Sequence, residues 1–255
     1  MNMPKRKIKK AEKARKENKE KIYDISMSVP TYNEKENIAK LIGEIYNEFK
    51  SHGINGEVII VDDNSPDGTG KIADELAKKY KFVRVLHRKG KEGLSSAVLA
   101  GFAISKSDIV GVMDADLSHP TNRIHTMLNV IKSGDAEFVV GSRYMPGGDI
   151  IGWNAWRLLM SRGAIMISRL FTRVRDTMSG FFMIRKKCIE GKKLDPKGFK
   201  ILLELLIKAD YDRVVEVPIV FINRTKGKSK AGMKEILDYL RNVWGYIRTR
   251  MKENN

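Results

Sequence analysis

The stretch Ile109-Val110-Gly111-Val112-Met113-Asp114-Ala115-Asp116-Leu117-Ser118-His119-Pro120 decides the fold. Its β-branched apolar run has no helical period and reads as a buried strand. Two carboxylates one residue apart stand where that strand must stop, at its carboxyl end. In open α/β sheets ligands bind along that edge, and hard oxygen donors at this spacing suit Mg²⁺ or Mn²⁺ carrying a substrate's phosphates. Alone, Asp-x-Asp reads equally well as a solvated turn, because Asp is common after strands. The flanking segments decide between the two.

Before it, Ile25 to Val29 alternates as a strand that Pro30 ends for want of an N–H, and Tyr32-Asn33-Glu34 follows. Ile38, Leu41, Ile42, Ile45 and Phe49 keep the 3.6-residue spacing of a core-facing helix, with Gly53 as its stop. Glu57 to Val61 is a second strand, and Asp62-Asp63-Asn64-Ser65-Pro66-Asp67-Gly68-Thr69 packs acidic and amide side chains into the turn after it. A helix over 70–80 and a strand over 82–86 come next. Arg88-Lys89-Gly90-Lys91-Glu92-Gly93 then enters a helix, either as a phosphate-binding loop or as a plain connector. After the Asp-x-Asp strand, Ile124, Met127, Leu128 and Ile131 line another helix, and 136–140 forms a fifth strand ending in Gly141-Ser142-Arg143. Unbroken strand–helix alternation predicts an α/β, mostly parallel sheet covered by helices on both faces, with the acidic turns along one edge.

The chain has 255 residues, 42% of them apolar, enough for one substantial core. Its 48 Lys and Arg against 31 Asp and Glu give a formal charge of +17, which calls for anionic partners: phosphates, nucleic acid or an acidic membrane surface. The lone Cys188 excludes an internal disulfide framework and a multi-cysteine metal site. Residues 1–21 form a Lys- and Arg-rich arm, a solubilising tail or a segment drawn to anionic headgroups. Residues 22–232 are the expected catalytic domain. Within it, 153–175 mixes Trp153, Trp156, Leu159, Met166 and Ile167 with Arg162 and Arg169, an amphipathic helix for packing on the sheet or lying in a membrane interface. A second amphipathic helix is expected over 233–255, to dock on the domain, contact lipid or pair with another copy. No run of about 18 uncharged apolar residues and no signal-peptide core is present, so the expected place is cytoplasmic, peripheral on the cytoplasmic face of a membrane.

Val29-Pro30-Thr31-Tyr32-Asn33-Glu34, Val61 to Thr69, Asp114-Ala115-Asp116 and Gly141-Ser142-Arg143, in that order, resemble the motifs of inverting nucleotide-sugar glycosyltransferases of the family-two type. Trp153 with Arg157 and Ser161-Arg162-Gly163, Thr177 to Phe182, Gly198 to Glu204 and Arg224 to Lys230 are most similar to its dolichol-phosphate mannose synthase branch. The resemblance implies a Rossmann-like GT-A domain that moves mannose from GDP-mannose to dolichyl or another polyprenyl phosphate with inversion. UDP-glucose or a related donor is the alternative within that chemistry. A basic RNA-binding module is the alternative outside it, but it leaves four ordered motifs unexplained and no nucleic-acid partner is expected.

By the resemblance, Pro30, Tyr32, Glu34, Asp62 and Asp63 line the nucleoside pocket. Asp114, Ala115 and Asp116 meet the donor diphosphate, the two carboxylates holding its Mg²⁺ or Mn²⁺, and Arg224, Ser229 and Lys230 close over it. Arg143, Arg157 and Ser161 receive the acceptor phosphate, and Asp116 and Arg143 are the catalytic pair. Family members carry glutamine where this chain has Ser118, so Ser118 is the weakest candidate metal ligand and water is expected in its place. His119 is expected to serve the turn rather than the metal. An acceptor phosphate monoester, with a second pKa near 6, needs no side chain to deprotonate it. It needs positioning and charge compensation, which Arg supplies through paired N–H donors. Longer relatives of the family continue into spanning segments; here the hold on the bilayer is expected to be peripheral, or supplied by an anchoring partner or a homodimer.

Overall fold

The computed structural model describes residues 23–169, 171–194 and 201–223. The basic arm over 1–21 and the helix expected over 233–255 lie outside the described residues. Strands β1 (Ile25–Thr31), β2 (Gly56–Asp62), β3 (Val83–His87), β4 (Ile109–Val112) and β5 (Phe138–Ser142) alternate with helices α1 (Ile38–Ser51), α2 (Thr69–Lys79), α3 (Leu94–Ala103) and α4 (Ile124–Lys132). There follow β6 (Asp149–Ile151), α5 (Ala155–Ser168), β7 (Phe182–Arg185), α6 (Ile201–Lys208), β8 (Val214–Pro218) and β9 (Val220–Ile222).

One seven-stranded sheet has the order β3-β2-β1-β4-β7-β5-β8, and β6 and β9 form a separate parallel pair. All neighbours in the large sheet are parallel except β7, which runs antiparallel between β4 and β5. The doubly wound, mostly parallel architecture read from the strand–helix alternation is present. The sheet's two faces carry separate cores, as the period of two along each strand requires. Ile109 and Met113 join Ile38, Leu41, Ile42 and Ile45 of α1 and Met127 and Leu128 of α4. Val110 and Val112, on the other face, join Val98 and Phe102 of α3 and Leu202 and Leu205 of α6.

From β1 the chain steps outward to β2 and β3, then returns to place β4 on β1's other side. That reversal leaves a crevice at the carboxyl ends of β1 and β4, where open α/β sheets hold ligands. At the opposite ends of the strands, fully buried Glu57 locks the register. Its carboxylate accepts from Ser26 Oγ (2.6 Å), the Lys106 N–H (2.7 Å) and Arg84 Nη1 (3.0 Å), tying three strands and the turn into β4. Buried carboxylates persist only with partners of this kind.

The helix expected over 153–175 is shorter, Ala155–Ser168. Asn154 starts it, its side chain accepting from the Arg157 N–H at 2.8 Å. Ser168 closes it, its hydroxyl bonded to Ile165 O (2.8 Å) and to Thr177 Oγ1 (2.5 Å). The helix has one face packed on the domain and one exposed apolar face. Ile165 and Ser168 are buried, whereas Trp156, Leu159 and Met166 are 68%, 62% and 71% exposed. Apart from Tyr46, every exposed large apolar side chain among the described residues lies on α5 or on the β6–β9 pair. Among the described residues no helix is long and apolar enough to cross a membrane.

Candidate active site

The turns after β1 and β2 are knit into one wall. Asn33, held at φ 60°, donates its N–H to Ser65 Oγ (3.0 Å), Glu34 N–H reaches Thr69 Oγ1 (2.9 Å), and Lys35 N–H reaches Asp67 (3.2 Å). Asp62, 2% exposed, accepts from Thr31 Oγ1 (3.0 Å), Ser65 Oγ (2.6 Å) and the Ser65 N–H (3.1 Å). Asp63 accepts the N–H groups of Glu92 (3.2 Å) and Gly93 (3.1 Å) and lies 2.8 Å from Arg88 Nε. Burial pushes the Asp63 carboxyl above its ordinary value, opposed by the Gly93 N–H and by Arg88.

These contacts settle the role of the Lys- and Gly-rich loop over 88–93. Two of the N–H groups that would cradle a phosphate at the start of α3 are spent on Asp63, so the loop is a connector locked to β2. Its Lys91 ammonium lies 4.4 Å from the centre of the Tyr32 ring. Pro30 sits inside β1 in register with Val61, and Glu34, nearly buried, accepts from Asn37 Nδ2 at 2.9 Å. Of the five residues expected around the nucleoside, all stand at the ends of β1 and β2.

Just past β4, after Asp114-Ala115-Asp116, Leu117 is held at φ 63°. Asp116, 7% exposed, accepts the Ser118 N–H at 3.1 Å, and Ala115 is buried. Asp114 lies 3.2 Å from His119 Nε2, and a Cβ built on Gly180 would collide with its carboxylate. His119 is buried against the rings of Phe181 and Phe221, which fits the turn role read for it and adds a contact to Asp114.

The donors at this strand tip fit a hard divalent cation. Asp114 and Asp116 supply carboxylate oxygens, and the Ser118 hydroxyl is buried without a hydrogen-bond partner among the described residues. An all-oxygen set of this kind suits Mg²⁺ or Mn²⁺.

The basic side of the site is built at the end of β5. Arg143 donates from Nε to Asp176 Oδ2 (2.7 Å) and from Nη2 to Oδ1 (2.8 Å), and both side chains are buried. Burial works against the charged guanidinium, but Asp176, with Tyr144 and Asp114 adding to it, holds Arg143 protonated above its ordinary range. His119, which contacts Asp114, and Arg143 share the Phe221 ring, at 5.2 and 5.4 Å from its centre, which puts the turn after β4 and the end of β5 beside one ring. Trp153 joins the cations: Arg143 lies 5.2 Å and Arg157 4.0 Å from its ring centre. Arg157 Nη1 donates to Asn223 Oδ1 (3.0 Å), and Ser161 Oγ accepts from Tyr144 Oη (2.9 Å). Arg143, Arg157 and Ser161 are therefore brought together. Arg224, Ser229 and Lys230 lie outside the described residues.

The sequence reading missed Asp176, the partner of Arg143. Its one signal was position, directly before the Thr177-Met178-Ser179-Gly180 stretch. Cys188 is buried, and burial pushes its thiol up, which disfavours the thiolate.

A model of glycosyl transferase family 2 matches residues 26–191. Over 224 residues the chain is 45% identical to a dolichol-phosphate mannosyltransferase of Pyrococcus furiosus, covering 86% of this chain and 62% of that protein. It is 38% identical over 230 residues to a dolichol-phosphate mannosyltransferase of Saccharomyces cerevisiae, covering 86% of this chain and 85% of that one. Among solved structures it superposes on a mannosyltransferase of Pyrobaculum calidifontis in complex with GDP-Man and Mn²⁺, with a TM-score of 0.60. Those two chains are 16% identical and the match covers 88% of this one and 65% of the other, a likeness of fold.

Proposed function

This chain belongs to glycosyl transferase family 2, and from that premise we propose that it transfers mannose from GDP-mannose to dolichyl or another polyprenyl phosphate with inversion at the sugar carbon. The observation that carries the proposal is the Phe221 ring shared by His119, which holds Asp114, and by Arg143. In this reading the carboxylates of Asp114 and Asp116 would serve a cation-bound diphosphate and the guanidinium groups of Arg143 and Arg157 a phosphate nucleophile, the two sets that transfer between phosphates requires. The names of the relatives at 45% and 38% identity support the choice of sugar and lipid.

In this reading Tyr32 and Glu34, with Pro30 behind them and Asp62 and Asp63 as the frame, receive the nucleoside. Asp114 and Asp116 would hold Mg²⁺ or Mn²⁺, which when bound neutralises charge on the leaving diphosphate. The buried Ser118 hydroxyl would be the weakest of the three oxygen donors, and water would serve where it falls short. Asp176 consumes Nε and Nη2 of Arg143, so the acceptor phosphate is offered the remaining Nη1 edge together with Arg157 and the Ser161 hydroxyl. That arrangement positions a phosphate oxygen that is already ionised near neutral pH, and no side chain has to take its proton. By the family resemblance Arg224, Ser229 and Lys230, outside the described residues, would contact the donor diphosphate.

The exposed Trp156, Leu159 and Met166 on α5, with exposed Ile151 and Ile222 on the paired β6 and β9, belong in this reading against the membrane that carries the acceptor. An aromatic and aliphatic surface flanked by Arg162 and Arg169 is the composition of an interfacial helix. The chain is then peripheral on the cytoplasmic face.

The test is a panel of nucleotide sugars offered to the purified chain with polyprenyl phosphate in vesicles and Mn²⁺ or Mg²⁺. Mannolipid formed from GDP-mannose, with the anomeric configuration opposite to the donor's, is the expected result. Preference for a UDP-sugar replaces the donor assignment, and retained configuration overturns inversion.

A further inference from the structure

We propose that Trp153 is a positioning residue of the acceptor-phosphate site: its indole ring holds Arg157 beside Arg143, so that two guanidinium groups are presented to one phosphate. The proposal rests on the reading of Arg143 and Arg157 as groups that receive the acceptor's phosphate, and it gives that site an uncharged member. Arg157 Cζ lies 4.0 Å and Arg143 Cζ 5.2 Å from the centre of the Trp153 ring. An aromatic face attracts a cation, and indole does so more strongly than the rings of Tyr or Phe. One ring therefore steadies two like charges that repel each other.

The two cations depend on that ring to different degrees. Arg143 is buried and already fixed by its doubly hydrogen-bonded pair with Asp176. Arg157, half-buried in the first turn of α5, is held by the Trp153 ring and by Asn223 Oδ1, which accepts from Nη1 at 3.0 Å. The other end of the Asn223 amide donates to Gly152 O at 3.1 Å, and the Asn223 backbone N–H donates to Ile151 O at 2.8 Å. On the helix side, Asn154 Oδ1 accepts the Arg157 N–H at 2.8 Å. The chain is thus fixed on both sides of Trp153. Phe221 meets the indole edge-on, 5.5 Å between centres and 74° between planes.

Packing alone does not account for an indole at this point. Trp153 Nε1 is buried with no hydrogen-bond partner among the described residues. A buried donor left unsatisfied destabilises a fold, and phenylalanine would supply a ring without one. What indole adds is the stronger negative face, and two cations lie against it. The ring is then expected to act through Arg157, which a side chain kept only for packing would not do.

The experiment measures transfer rates against polyprenyl phosphate and, separately, against GDP-mannose, with calorimetric titration of a short-chain polyprenyl phosphate. The variants are Trp153→Leu, Trp153→Phe, Arg157→Ala, and each Trp153 change combined with Arg157→Ala. Trp153→Leu is expected to raise KM for polyprenyl phosphate and weaken its binding about tenfold, with KM for GDP-mannose within about twofold of the parent. Trp153→Phe, which keeps a ring, is expected to lose only about threefold. Once Arg157 is gone the ring has little left to position, so each double variant binds within about twofold of Arg157→Ala alone. Circular dichroism checks folding, and Trp153→Phe with and without Arg157→Ala carries the comparison if Trp153→Leu does not fold. Unchanged KM for polyprenyl phosphate, equal losses towards both substrates, or losses that add in the double variants overturn the proposal, and a parent that transfers mannose then leaves the proposed function standing. A parent that neither binds polyprenyl phosphate nor transfers to it overturns both.

Discussion

Arg143 and Asp176 meet in a doubly hydrogen-bonded pair, Nε to Oδ2 at 2.7 Å and Nη2 to Oδ1 at 2.8 Å, while the Arg143 backbone N–H reaches Oδ2 at 3.0 Å. The Arg143 guanidinium is thus a buried charge that Asp176 already compensates. Removing either partner strands a buried charge, which costs about 3–5 kcal/mol. Asp176→Ala is expected to lose stability on that scale in denaturant titration. Arg143→Ala loses a similar amount and loses transfer as well.

Gly180 faces the Asp114 carboxylate with no room for a Cβ. Gly180→Ala is expected to push Asp114 aside and weaken Mn²⁺ binding by about 10–100-fold, the usual effect of disturbing what orients a ligand. Titration of transfer rate against Mn²⁺ measures it. The fold should survive, since Asp114 is at the rim and its side chain is 32% exposed.

Asp67 accepts the Thr69 N–H (3.0 Å) and hydroxyl (2.6 Å) at the start of α2 and the Lys35 N–H at 3.2 Å. Burial works to raise its carboxyl, but the bonds from Thr69 and Lys35 outweigh it and hold the group below its ordinary value. A carboxyl lowered on folding contributes stability above the unfolded value of 3.8 and loses it as pH falls through the folded one. Asp67→Ala should therefore cost about 1 kcal/mol at neutral pH, as loss of a helix-start acceptor does. The gap between parent and variant should close below pH 3.8, as read by denaturant titration at stepped pH.

Trp156 and Leu159 are exposed on α5. If they enter a lipid interface, the double change Trp156→Ser, Leu159→Ser should weaken sedimentation with anionic vesicles at least tenfold, since burial of a large apolar side chain is worth about 1.5–3 kcal/mol. Transfer to a short-chain, water-soluble acceptor phosphate should be unchanged.

The parts of this fold legible in the sequence are those with a local period. Ile38, Leu41, Ile42 and Ile45 mark α1 by spacing alone, and the apolar run before Asp114 marks β4 and the edge on which the site lies. What escaped depends on distant partners. β7 is four residues long, Phe182–Arg185, and nothing in so short an apolar run says that it runs antiparallel between β4 and β5. The Arg143–Asp176 pair spans 33 positions, and Glu48 meets His125 across 77. Such pairings follow from the order of strands and the stacking of helices, which no local window contains. Asp62 and Asp63 were legible as strand-end carboxylates, but their bonds to Thr31, Ser65 and the start of α3 were not.

The central claim is that Asp114 and Asp116 hold the cation-bound donor beside Arg143. It is tested most directly by the initial rate of mannosyl transfer from GDP-mannose to polyprenyl phosphate with Mn²⁺, measured for the parent and for Asp116→Ala, with and without chelator. A cation at such a site is worth several kcal/mol at the transition state, so the variant should be slower by at least about a hundredfold and chelation should stop the parent. Transfer by Asp116→Ala at the parent's rate, or by the parent in chelator, contradicts the account.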